Sequence, residues 1–141
     1  MSHPLSPQLK ALERLRQQRR VQCQQRVVEQ QQRVERMRNK LDTLQHFIDS
    51  PKPSMASGLV LSNQEIYSRE LRRLYQWQQQ QYQCAEQELA QRNAQLIASH
   101  RQEKQLEHYC QAKTDAEEKR QQQHAQKLSD ELAALRFSSK S

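Results

Sequence analysis

Neither proline nor glycine occurs between Gln8 and Ser50, or from Leu59 to Ser141. The four prolines are Pro4, Pro7, Pro51 and Pro53, and the single glycine is Gly58. A chain punctuated in this way has one place to stop being a helix. Pro51 and Pro53 remove backbone donors and force extended geometry on the residues before them. Gly58 tolerates a positive φ at low cost. Ser62 then restarts a helix, because its hydroxyl can accept from the backbone three residues on while Glu65 reaches back as a capping box. At the other end, Ser6 followed by Pro7 is a good N-cap and first-turn pair. The sequence therefore predicts helix one over about 7–49, a bend over 50–62 and helix two over about 63–136. At 1.5 Å per residue these helices are ~65 Å and ~110 Å long. Residues 137–141 are expected to fray.

Both stretches carry a heptad seam. In helix one Val27, Gln30, Val34, Met37, Leu41, Leu44 and Ile48 alternate steps of three and four. Leu5, Leu9 and Leu12 stand at helical spacing upstream, and between them and Val27 the seam is weak, running through Arg16, Arg19 and Cys23. In helix two Leu71, Tyr75, Gln78, Tyr82, Ala85, Leu89, Arg92 and Leu96 share one seam. Glu103, Leu106, Cys110 and Lys113 continue it poorly, and apolar periodicity returns at Ala125, Leu128, Leu132 and Leu135. The expected fold is all-α, a long two-helix antiparallel coiled-coil hairpin forming one domain over 1–141. Folding back at the bend pairs Leu41 with Leu71, Met37 with Tyr75, Val34 with Gln78, Gln30 with Tyr82, Val27 with Ala85, and Cys23 with Leu89. Arg16 and Arg92 should snorkel, stems packed and heads in water. In this register helix one is exhausted near Glu107, so the last ~30 residues of helix two, ~45 Å, project alone. Their stripe (Leu128, Leu132, Leu135) needs a partner to cover it. The alternative is that the stripe packs on Leu5, Leu9 and Leu12 in a shifted register.

Composition excludes several function classes. Only 34% of the residues are hydrophobic and roughly a fifth are glutamine, which suits long helices rather than a globular core. No apolar run approaches the ~20 residues a bilayer requires. Residues 1–7 have no apolar signal-peptide segment, so a cytoplasmic location is expected. Cys23, Cys84 and Cys110 are odd in number, lack metal-site spacing, and read as reduced thiols used as small apolar fillers. One glycine cannot build a phosphate-cradling loop. No Ser-His-Asp or Cys-His set is recognisable, so no catalytic, cofactor or metal residue is assigned. His100, Glu103 and Glu107 lie at helical spacing but read as a solvated polar face. The net charge of +7 is concentrated in residues 10–40, where ten basic residues oppose three acidic ones. Residues 63–136 hold eleven of each sign. The arginines of helix one occur on every face with no aromatic interleaved to stack bases, which reads as a solvated surface with some arginines meeting an acidic protein rather than as a nucleic-acid site. Residues 10–26 lack the apolar face of a membrane-surface helix. Trp77, on the rim of the seam, is packing or a contact hot spot.

Gly58-Leu59-Val60-Leu61-Ser62-Asn63, followed by Ile66, Leu71 and Tyr75, resembles the turn and second-helix start of the flagellar FliJ proteins. Lys104-Gln105-Leu106-Glu107 and Lys127-Leu128-Ser129-Asp130-Glu131-Leu132-Ala133 resemble that family's C-terminal pattern, with Asp-Glu-apolar-Ala its sharpest piece. The runs Gln30-Gln31-Gln32, Gln78-Gln79-Gln80-Gln81 and Gln121-Gln122-Gln123 depart from the pattern. The resemblance implies a cytoplasmic, non-catalytic part of the type III export apparatus, similar to the gamma stalk of rotary ATPases. It implies insertion of the free helix ends into the export ATPase ring, contact with the export gate membrane protein, and cycling of export chaperones. Membrane association would then be peripheral, through partners, with no cofactor and no nucleic acid. The residues it nominates for the ATPase are Leu5, Leu9, Leu12, Arg14, Arg16, Leu128, Asp130, Glu131, Leu132 and Leu135. Three alternatives stay open: a generic coiled-coil scaffold, the equivalent stalk of a virulence-type secretion system, and a basic RNA- or DNA-binding rod.

Overall fold

The structure, a computed structural model, describes residues 6–50 and 58–139. Two helices make it up, α1 (Pro7–Asp49, 43 residues) and α2 (Gly58–Ser139, 82 residues). They pack against each other as an all-α helical hairpin. Helix α1 occupies the span its capping residues dictate. The Ser6 hydroxyl accepts from the Leu9 amide at 3.2 Å, and the Ser6 carbonyl accepts from Lys10 at 3.1 Å. At its other end the Ser50 hydroxyl donates to the His46 carbonyl at 2.8 Å, directly before Pro51.

Helix α2 begins five residues earlier than the capping-box reading places it. Ser62 and Glu65 are both inside the helix, so that box does not form. Gly58 does not adopt a positive φ, and a Cβ added there would meet nothing within 4 Å. Leu59, Val60 and Leu61 carry no helix breaker, so nothing stops the helix from starting at the glycine. The bend core, residues 51–57, lies outside the described residues. At the far end α2 runs on through Phe137 to Ser139, where the Ser139 hydroxyl donates to the Arg136 carbonyl at 3.0 Å.

Contacts divide the chain into two units, Val21–Ile97, and Met1–Arg20 with Ala98–Ser141. In Val21–Ile97 the seam is the heptad read from the sequence. Cys23, Val27, Gln30, Val34 and Leu41 of α1 are buried, and Met37, Leu44 and Ile48 are half-buried. From α2, Gln78 and Ala85 are buried, while Leu71, Tyr75, Tyr82, Leu89, Arg92 and Leu96 are half-buried. The register differs from the expected one. Gln30 Nε2 donates to the Ala85 carbonyl at 2.9 Å, and Arg92 Nη1 to the Arg26 carbonyl at 3.2 Å. The Tyr82 hydroxyl, expected near Gln30, instead accepts from Arg38 Nη2 at 3.0 Å. The partners in these bonds sit three, six and eight residues further along than the expected pairing puts them. The reason is that long polar side chains decide the alignment where apolar layers are few. Gln30 is the extreme case, 2% exposed and bonded across the seam. The guanidinium of Arg92, its side chain 28% exposed, also donates from Nη2 to Glu88 at 2.7 Å.

In the other unit the seam is largely polar. Its half-buried α1 positions are Leu9, Glu13, Arg16 and Arg20, facing Ser99, Glu103, Leu106, Cys110, Thr114 and Glu117 of α2. Arg19 and Leu12 are exposed, so the stripe passes through Arg20 and Glu13 instead. Lys113 is likewise exposed and Thr114 takes its place. Arg16 Nη1 donates to Gln102 Oε1 at 2.7 Å, and Arg20 Nε pairs with the Glu103 carboxylate. The Arg16 head group thus makes its bond at an exposed position. All three thiols are free, and Cys84 is exposed, so only Cys23 and Cys110 serve as apolar filler.

Candidate partner-docking end

The stretch that stands out in the unit Met1–Arg20 with Ala98–Ser141 is the end of α2. Every residue of 118–139 is exposed, about 33 Å of helix with no cover. The bare length is shorter than the ~45 Å expected, because the observed register carries α1 further along α2. Leu128, Leu132 and Leu135 are 48%, 63% and 67% exposed and fall on one face. They do not pack on Leu9 or Leu12, which removes the shifted-register alternative for those residues; Leu5 lies outside the described residues. Glu131 is exposed, and Asp130 accepts from Gln126 Nε2 at 3.0 Å along the same helix. Phe137, expected only as frayed chain, is helical and 83% exposed. It lies about 180° around the helix from Leu128, so it widens the apolar surface instead of lengthening the stripe.

On α1, Lys10, Arg14 and Arg19 are exposed cations, whereas Arg16 and Arg20 are engaged with Gln102 and Glu103. The basic surface available to a partner is thus smaller than the sequence count suggests. Leu12 and Leu15, 36% and 59% exposed, sit among these cations. Glu13 is half-buried beside Cys110; burial first, then its hydrogen bond with Glu13, pushes the Cys110 thiol up.

Of a second exposed apolar set the sequence reading singled out Trp77 alone. In Val21–Ile97, Ile66, Tyr67, Leu74 and Trp77 are 46–57% exposed. Their signal was available: apolar residues off the heptad seam have no intramolecular place to go. Among the described residues no group of three or more His, Cys, Asp and Glu could hold a metal, and Glu103 is occupied by Arg20. No helix there is long and apolar enough to cross a membrane.

The class the fold defines is an all-α helical hairpin, here with an exposed apolar stripe at the end of its second helix. The family model described as the flagellar FliJ protein matches residues 5–141, and the chain belongs to the FliJ family. It is a component of the flagellar export apparatus. Comparison with curated proteins and with solved structures finds no match.

Proposed function

We propose that the chain is a non-catalytic stalk and adaptor of flagellar type III export, whose helix ends enter the export ATPase ring and promote its turnover. The observation that carries this reading is the bare stretch 118–139 with Leu128, Leu132 and Leu135 on one face. Leaving such a stripe in water is costly unless a partner buries it. Lys10, Arg14 and Arg19 steer that end toward an acidic ring mouth. Export chaperones and the gate membrane protein are the further partners, with the protein cytoplasmic and at the membrane only through them. Ile66, Tyr67, Leu74 and Trp77 are the candidate surface for the gate, since exposed aromatics are the common anchors of protein contacts. The seam residues Val27, Val34, Met37 and Leu41 are already used within the chain, which favours an adaptor over a scaffold that dimerises through them. The test is Leu128→Asp with Leu132→Asp. Helicity and melting temperature are expected to hold while stimulation of ATP hydrolysis by the export ATPase is lost. Full stimulation by the folded double variant rejects this end as the docking surface.

A further inference from the structure

We propose that the bare end of α2 pairs with the same end of a second copy of this chain, the two helices parallel and in register. Residues 118–139 carry a seam of their own. Gln121, Ala125, Leu128, Leu132, Leu135 and Ser139 follow one another in alternating steps of four and three, the spacing of coiled-coil core positions. All six are exposed, and the inner four are apolar. The seam lies entirely within the unit Met1–Arg20 with Ala98–Ser141.

The residues that flank the seam say what covers it. Glu131 directly precedes Leu132 and Arg136 directly follows Leu135, so the two stand on opposite flanks, five residues apart. In parallel helices in register these are the flanking positions that meet across the interface. Glu131 of each copy then faces Arg136 of the other, twice by symmetry. Both side chains are exposed, and among the described residues neither has an ion-pair partner. Arg136 lines the same shallow groove as Leu132 and Leu135, so it sits on the rim of the apolar contact. The same charges oppose the reverse arrangement. Antiparallel copies that set Leu128 against Leu132 turn about an axis near Asp130, which brings Glu131 against Glu131. Net charge does not resist the contact either. Residues 118–139 hold four basic residues against three acidic, in contrast to ten against three in residues 10–40.

The first turns of α1 fix where the pairing starts. Leu106, Cys110, Thr114 and Glu117 are buried or half-buried and lie on the same face of α2, leading up to Gln121. α1 occupies that face, so the second copy begins where α1 leaves off, and each α2 parts from the other to hold its own α1. A zipper appended to paired helices has this layout. Leu128, Leu132 and Leu135 are the only large apolar layers, fewer than the roughly three to four full heptads of a sustained coiled coil. The pair therefore forms at high chain concentration and comes apart on dilution, leaving the end bare. The contact needs no ATPase and goes beyond that reading. It also makes the two uses of the stripe exclusive, since an end held by its twin is closed to any other partner.

Sedimentation equilibrium of the full chain, kept reduced and without any ATPase, tests the pairing from micromolar to millimolar concentration. Wild type is expected to pass from monomer to dimer. Arg136→Glu sets like charges against each other on both flanks and is expected to weaken the dimer about tenfold. Glu131→Arg is expected to do the same. Mixed in equal amounts, the two variants are expected to pair as tightly as wild type, because each supplies the charge the other lacks. Both positions are exposed, so helicity by circular dichroism should hold in each variant. A wild type that stays monomeric throughout overturns the proposal. An Arg136→Glu variant that dimerises as tightly as wild type overturns it equally, since antiparallel copies or a contact elsewhere on the chain would give that result. A mixture no tighter than either variant alone also overturns it. None of these outcomes touches the ATPase reading, which is measured by turnover in dilute solution.

Discussion

Gln30 offers the sharpest test of how the seam is held. Its side chain is 2% exposed, and Nε2 donates to the Ala85 carbonyl at 2.9 Å. Gln30→Ala removes a neutral buried hydrogen bond, a net ~1 kcal/mol. It also removes one buried methylene, Cγ, at ~0.8 kcal/mol. The better helix propensity of alanine returns a few tenths, roughly 0.3 kcal/mol. The expected loss is therefore about 1.5 kcal/mol. No acceptor is orphaned, because the Ala85 carbonyl lies mid-helix and keeps its place in the α2 ladder. Gln30→Leu, of similar volume, exchanges the bond for apolar contact and is expected to fall within about 1 kcal/mol of wild type or above it. Urea unfolding followed by circular dichroism at 222 nm reads both. Two results refute the reasoning: a loss under ~0.5 kcal/mol for Gln30→Ala, or a loss above ~2 kcal/mol for Gln30→Leu, since either is incompatible with a Gln30 that is buried and singly bonded.

Other outcomes follow from the same geometry. Leu41→Ala, at a buried seam position, should cost ~2–3 kcal/mol in the same unfolding assay; a cost under 1 kcal/mol removes Leu41 from the core. Under native conditions a maleimide should label exposed Cys84 well before Cys23 and Cys110, and equal rates would mean that the seam opens readily. The Cys110 thiol is pushed up, so the folded state disfavours its thiolate. Its contribution to stability is full below the ordinary thiol range and is lost as pH rises through the raised value. Cys110→Ala should therefore flatten the decline in stability between about pH 8 and 10, and an unchanged pH profile contradicts that. Trp77→Ala, half exposed and off the seam, should leave stability within ~0.5 kcal/mol yet weaken binding to the export gate protein. Unchanged binding in a pull-down with the purified gate domain rejects Trp77 as a contact.

Much of this fold was legible because one periodic signal runs through it. Val27 to Ile48 and Leu71 to Leu96 announce their buried faces by spacing alone, and every one of those seam residues is buried or half-buried. The register was not legible, because the apolar layers are few and the long side chains that cross the seam reach several residues along it. What sets it is polar: Gln30 reaching Ala85, and Arg20 reaching Glu103. A stripe made of Glu13, Arg16 and Arg20 carries no apolar signal, so Leu12 and Arg19 were read into the seam in their place. The start of α2 was misplaced because a serine with glutamate three residues on resembles a cap wherever it occurs. Here the helix was already under way. At the candidate site the stripe of Leu128, Leu132 and Leu135 could be read directly. Its bare length could not, since it depends on the register. Nor could the engagement of Arg16 and Arg20, which needs the partner helix to be in place.

Hydrogen–deuterium exchange of the full chain, alone and with the export ATPase, tests the central claim most directly. A single uncovered helix exchanges faster than a paired one, so residues 118–139 should exchange fastest within α2 in the free protein. On adding the ATPase, protection should appear over residues 118–139 and the first turns of α1, with the amides around Val34 and Ala85 unchanged. Protection confined to residues 58–97, with residues 118–139 still exchanging freely in the bound complex, would contradict the account and place the ATPase on the other unit.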